Sequence, residues 1–264
     1  MLLSSVILVL QETLEAALLA SVLMALSYRL GLRIRWFPVG LCLGALLAWV
    51  YAANMGTVSE WFDYVGQEVV NALLQIIIAL ALVLLSWASF RNHRDVAPGQ
   101  IRTLALFQWC AVLAITLTIT REGAEVLTYL GGVLHQADKL QTVMIGSGIG
   151  FSIGISVGFL LFYGLVGLKG KWAAAASLAL LALFAGNMLA QAALQFTQAD
   201  WISSTRAVWD TSAWWREDSI TGQLLYALIG YEATPSAAQI VSYITGFLLV
   251  LLAAVAGRKM AAND

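Results

Sequence analysis

Polar residues are sparse along this chain and recur at intervals, so the sequence divides itself into long apolar runs joined by short polar ones. A hydrocarbon core about 30 Å thick is crossed by roughly 20 residues of helix. Seven runs reach that length, at about 2–26, 37–55, 69–90, 104–130, 143–168, 172–196 and 237–256. The first carries Glu12 and Glu15 inside it and has no basic residue ahead of its apolar stretch, so it reads as a span and not as a cleavable signal segment. The pattern predicts an all-α membrane protein with seven transmembrane helices.

The loops alternate in charge. Arg29, Arg33 and Arg35 follow the first run, Arg91, Arg94 and Arg102 the third, Lys169 and Lys171 the fifth, and Arg258 and Lys259 the seventh. The intervening loops hold acids: Glu60, Asp63 and Glu68, then Asp138, then Asp200, Asp210, Glu217, Asp218 and Glu232. Short loops rich in Lys and Arg stay in the cytoplasm, which sets the amino terminus outside and the carboxyl terminus inside. One missed or extra span would scramble this alternation. An acidic outer face would concentrate cations, although solvated acids on outer loops are ordinary.

The spans also repeat. Gln11-Glu12-Thr13-Leu14-Glu15 and Arg121-Glu122-Gly123-Ala124-Glu125 stand 110 positions apart. Gly40, Gly44, Ala48 and Ala52 in the second span echo Gly146, Gly150, Gly154 and Gly158 in the fifth, with Gly40 and Gly150 again 110 apart. Asn71 and Gln75 in the third match Asn187 and Gln191 in the sixth at an offset of 116, and Gln195 follows. Three spans per unit turn the second unit over relative to the first, so two inverted three-helix repeats plus one additional helix are expected. Their bounds, within a single transmembrane domain over 1–264, are about 1–90 and 101–196, followed by an outer loop at 197–236 and a last helix at 237–257.

Composition removes the soluble alternatives. Hydrophobic residues make up 61% and charged residues 11%, with a mean hydropathy of +0.84, far from the balance of a soluble domain. Cys42 and Cys110 both fall inside spans, giving neither a disulfide framework nor a thiolate cluster. His93 and His135 fall in short loops, where a lone histidine is usually just solvated, and this weakens any haem held between two histidines. Gly167-Leu168-Lys169-Gly170-Lys171 lacks the spacing of a phosphate loop, and no nucleic-acid partner is implied.

The acids inside the spans carry the chemistry. A separation of three puts Glu12 and Glu15 on one side of the first helix, and Glu122 and Glu125 on one side of the fourth. An ionisable group at mid-membrane costs on the order of 2.5–3.5 kcal/mol on the lenient insertion scale. Arg121 pairing with Glu125 one turn away explains one of the four acids; a multivalent cation explains all. Carboxylate oxygens suit hard ions such as ferric iron, magnesium, calcium or manganese, and a site without thiolate or histidine argues against copper or zinc. Asn71, Gln75, Asn187 and Gln191 lie toward the outer ends of their helices, where they either line the ion's way in or bond helix to helix.

These residues resemble the oxidase-dependent iron permeases, which include the yeast high-affinity and bacterial EfeU-type proteins and are marked by Arg-Glu-x-x-Glu in the first and fourth helices. Arg121-Glu122-Gly123-Ala124-Glu125 fits fully, whereas Gln11 stands where the family has arginine. Trp209-Asp210-Thr211-Ser212, Gly230-Tyr231, Pro235-Ser236, Gln239 and Tyr243 look like the stretch entering the family's last helix. The resemblance implies that Glu12, Glu15, Glu122 and Glu125 bind iron in transit, with Gln11 and Arg121 tuning the site. It further implies a permease and not an enzyme, in a plasma membrane of the bacterial inner-membrane kind. Iron would be its substrate and no cofactor permanently bound, and an iron-oxidising or iron-delivering protein would serve it at the outer face. Asp210 is the candidate for recruiting that partner, while Trp201, Trp209, Trp214 and Trp215 suit the headgroup level. Two other readings remain open: transport of another divalent metal such as manganese or lead, and a membrane subunit of a redox complex that uses the acids as a proton path.

Overall fold

The computed structural model describes residues 2–91, 98–134, 137–216 and 219–263; His93, Arg94, His135, Glu217 and Asp218 lie outside the described residues. The elements are helices α1 (Leu2–Arg29), α2 (Trp36–Ala53), α3 (Met55–Ser59), α4 (Trp61–Tyr64), α5 (Gly66–Arg91), α6 (Pro98–Val133), α7 (Ala137–Gly167), α8 (Gly170–Gln198), α9 (Ile220–Ile229) and α10 (Ala237–Asn263). No strand occurs among the described residues. Seven of the helices, α1, α2, α5, α6, α7, α8 and α10, are long and apolar enough to cross a membrane. Each coincides with one predicted run to within a few residues at most ends, because a segment in oil must satisfy its backbone internally until it reaches polar surroundings.

α1 sits at the centre, with Leu14, Leu18, Val22 and Leu23 fully buried. α2, α7 and α10 lie at the periphery and turn large apolar side chains outward, among them Trp49, Leu160 and Leu252. Since lipid is as apolar as leucine, close packing must hold such helices to the core. The glycine seams supply it. α7 lays its seam on α1: a Cβ on Gly146 would stand 2.7 Å from the Leu2 carbonyl and 2.9 Å from the Ser5 Cβ, and one on Gly150 would run into the Val6 carbonyl. α2 does the same on α6, where Gly40 faces the Val112 carbonyl and Ile115, and Gly44 faces the Thr116 carbonyl and Ile119.

These contacts align Gly40 with Gly146 and Gly44 with Gly150, because their partners Val112, Ile115 and Thr116 stand 110 positions after Leu2, Ser5 and Val6. By these contacts the seams of α2 and α7 correspond at an offset of 106, one turn away from the 110 read in the sequence. A seam of small residues every four positions looks the same after sliding by a turn, and only the contact partners fix its register.

The stretch after α8 holds a helix that the span pattern does not predict. Ser219 Oγ caps α9 by accepting from the Gly222 N–H at 3.0 Å, and Gly230, with φ of +68°, closes it in the left-handed conformation. Both ends of this stretch leave the bundle on the same side, yet α9 packs on α1 and α8 and buries Gln223 and Ala227. It is a re-entrant element, tied down by Tyr243 Oη donating to the Ile229 carbonyl at 2.6 Å. A capping box then starts α10: Ser236 N–H donates to Gln239 Oε1 at 2.8 Å, and Gln239 N–H to Ser236 Oγ at 3.3 Å.

Candidate metal centre

α1 and α6 lie against each other, registered by a 2.8 Å hydrogen bond between Ser5 Oγ and Tyr129 Oη. Two turns deeper, Glu12 of α1 meets Glu122 and Glu125 of α6, each offering one oxygen within 4.8 Å of the others. Glu12 and Glu122 are buried, while 34% of the Glu125 side chain is exposed. Beside them the Arg121 guanidinium ion-pairs with three acids: Nη1 lies 3.0 Å from Glu122 and 3.5 Å from Glu15, and Nε lies 3.6 Å from Glu125.

Glu15 does not join the group of three. Its Oε2 is held by Arg121 and by Gln191 Nε2 at 3.4 Å. Gln191 in turn accepts from Gln75 Nε2 at 2.6 Å. The amides thus link α5 through α8 to α1 behind the acids. One oxygen each of Glu12 and Glu15 and both oxygens of Glu122 are buried without a hydrogen-bond partner. One guanidinium among four acids leaves formal negative charge that burial penalises heavily, and three adjacent carboxylates are a donor set for a hard or borderline cation.

A cavity of about 420 Å³ leads to Glu125 from the side of the 199–236 stretch, walled by Glu68, Asn71, Tyr129, Gln195 and Gln198. Of the four amides singled out in the sequence, Asn71 lines this vestibule and accepts from Tyr51 Oη at 3.1 Å. Gln75 is fully buried in its bond to Gln191. Asn187 and Gln191 border a separate cavity of about 430 Å³ beneath Trp209 and Tyr231. Gln11 is half-buried on α1.

Asp210 is exposed, with its carboxylate accepting from the Ser212 N–H at 2.9 Å and Oγ at 2.6 Å, bonds that hold its pKa below the usual aspartate value. The neighbouring Thr211 bonds Tyr231 Oη at 2.6 Å and the Ala233 carbonyl through its N–H at 2.9 Å. The two late motifs noted in the sequence are therefore the two sides of one folded stretch. Sequence reasoning passed over Tyr226 of α9, which stands within electrostatic reach of Glu15, Arg121 and Glu12. The signal was present: Ser219 and Gly230 bracket ten largely apolar residues as start and stop.

A seven-span bundle whose buried carboxylates converge between two helices and open to a polar vestibule defines a membrane permease for cations. The profile of the Iron permease FTR1 family matches residues 2–262, and the chain belongs to that family. It is similar to the Ferrous iron permease EfeU of Escherichia coli O6:H1, 28% identical over 267 residues that cover 94% of each chain. The Shigella sonnei protein of the same name is 28% identical over 265 residues, covering 94% of this chain and 93% of its own. No solved structure matches. The protein is a multi-pass transporter and not an enzyme, and iron is the ion that its family carries.

Proposed function

We propose that iron crosses the membrane through the acidic centre, entering by the vestibule at Glu125 and binding first to Glu12, Glu122 and Glu125, with Glu15 as the fourth acid of the route. The observation that carries this reading is the approach of three carboxylates from two helices to within 4.8 Å at the end of a polar cavity. Ferrous iron, the form for which the relatives are named, is the substrate to test first. Iron passes as cargo and needs no resident cofactor.

The loop charges support an amino terminus outside, a carboxyl terminus in the cytoplasm and an inner-membrane location in a bacterium, so that the vestibule faces outward. The matched glycine contacts of α2 on α6 and α7 on α1, and the Gln75–Gln191 bond between equivalent positions, support two inverted units over about 1–90 and 101–196. The 197–236 stretch, with Asp210 at its surface, is the part of this chain that an iron-oxidising or iron-delivering partner would meet.

The test is uptake of radioactive ferrous iron by cells expressing the chain as their sole iron permease. Glu122→Ala should abolish uptake at unchanged levels of protein in the membrane. Undiminished uptake by that variant sinks the assignment. Uptake of manganese at the same rate as iron would move the substrate to divalent metals at large.

A further inference from the structure

Below Glu15, on the side of the Arg-rich loops, lies a small pocket of about 10 Å³, room for one water-sized particle. Three polar residues line it: Glu15, Thr118 and Asn187, all buried. Glu15 Oε1 and Thr118 Oγ1 have no hydrogen-bond partner. An orphaned carboxylate oxygen beside an orphaned hydroxyl is unfavourable unless something visits the space between them. Leu19, Leu82, Phe184, Met188 and Ala227 complete the lining; Leu19 lies beyond Glu15 on α1 and Phe184 beyond Asn187 on α8 toward the basic loops, and Leu82 lies toward them on α5.

Six of the eight lining residues have counterparts in the vestibule. On the α1 and α6 pair, Glu15, Leu19 and Thr118 of the pocket stand 110 positions from Glu125, Tyr129 and Leu8, and those three line the vestibule. On the α5 and α8 pair, Leu82 and Asn187 stand 116 positions from Gln198 and Asn71, and Phe184 stands 116 from Glu68; these too line the vestibule. The same two offsets relate the acidic motifs and the amide pairs. The small pocket is thus the vestibule's counterpart in the other unit, collapsed where its equivalent is open.

We infer that this pocket is a second, inner station for the ion, in which Glu15, Thr118 and Asn187 receive a divalent cation from the three-carboxylate centre, above an exit closed by Leu19, Leu82 and Phe184. The donors are a carboxylate, a hydroxyl and an amide, all oxygen ligands suited to a partly dehydrated divalent ion. One carboxylate where the outer centre has three favours release over retention. Where the open vestibule has Glu68, Tyr129 and Gln198, the exit has phenylalanine and two leucines, which pack shut when the pocket is empty. The inference rests on the proposed route through the acids.

The test compares Thr118→Val with Glu122→Gln in uptake and in equilibrium binding of ferrous iron to the detergent-purified full chain. Thr118→Val should keep the tight iron binding of the outer centre, which is untouched, yet lower the maximal uptake rate by about tenfold with little change in KM. Thr118→Ser, which keeps the hydroxyl, should restore the rate. Uptake by Thr118→Val at the unaltered rate overturns the inner station, as does parallel loss of the tight binding and of uptake in it. If Thr118→Val does not accumulate, Thr118→Ala takes its place, with Thr118→Ser still the rescue. Normal binding and uptake by Glu122→Gln would instead discard the route itself. A direct readout is Leu82→Cys in a background with Cys42→Ser and Cys110→Ala. A membrane-impermeant thiol reagent on the cytoplasmic side should label it faster when ferrous iron is supplied outside, and labelling indifferent to iron overturns the exit.

Discussion

The two acidic motifs have the same spacing and part company in space. Glu12 and Glu122 meet, each buried, whereas their partners three residues on face different surroundings. The Glu125 side chain is 34% exposed at the foot of a cavity of about 420 Å³, and that of Glu15 is 3% exposed above a pocket of about 10 Å³. A spacing of three decides which face of a helix carries the acids. It says nothing about which end of the membrane is open to them, since that depends on how the surrounding helices splay or close. The one arginine adds to the difference. Arg121 reaches Glu15, Glu122 and Glu125, so the charge that both motifs share is supplied from α6 alone.

Removing that charge is the most drastic way to break the comparison. Arg121→Ala would leave three acids without their common partner, and breaking a buried ion pair costs about 3–5 kcal/mol. The purified variant should melt several degrees lower than the unaltered protein. Ferrous iron should raise its melting temperature by more than it raises that of the unaltered protein, because the ion then replaces the missing cation. Equal melting with and without the guanidinium would mean that the acids around it are already neutral.

A smaller effect is expected where the two glycine seams look alike. Alanine at Gly150 meets the Val6 carbonyl, and alanine at Gly44 meets Ile119 Cβ at 2.7 Å and the Thr116 carbonyl at 2.9 Å. Overpacking of this kind costs roughly 1–3 kcal/mol, and Gly150→Ala should cost more because its near contacts, to Val6 and Leu10, are all with backbone, whereas Gly44 shares its contact between a backbone carbonyl and a side chain. Thermal unfolding in detergent measures both. A neutral Gly44→Ala would show that the α2–α6 seam is not the working counterpart of the α1–α7 seam.

What the sequence made legible follows from what lipid demands. Every spanning helix was visible because oil tolerates few polar residues, and the acids stood out for the same reason. The offset of the glycine seams was read one turn off because Gly40, Gly44, Gly146 and Gly150 are chemically identical and their partners are not visible in a linear pattern. α9 was passed over since its ten residues are too few to span, although its cap and stop were both present. Thr118 carried no signal at all: a threonine in an apolar run is unremarkable until its hydroxyl is found buried without a partner. The separation of Glu15 from the other acids also needed three dimensions, because Gln191, which holds it, lies 176 positions away.

The finest probe of the comparison adds to the first motif the charge that the second already has. Gln11 is half-buried immediately before Glu12, and the family pattern puts arginine there. A guanidinium at this point competes with iron for the Glu12 carboxylate. Unit charges about 4 Å apart interact by about 4 kcal/mol at an effective dielectric near 20 and by about 1 kcal/mol in water, the lower figure being appropriate to a half-exposed position. Gln11→Arg should therefore raise the KM for ferrous iron by about threefold to tenfold while the maximal rate holds, and the increase should shrink at high ionic strength. An unchanged KM at low salt would show that the added cation is held away from Glu12. The difference between the two motifs would then lie in which side of the membrane is open to each and not in their charge.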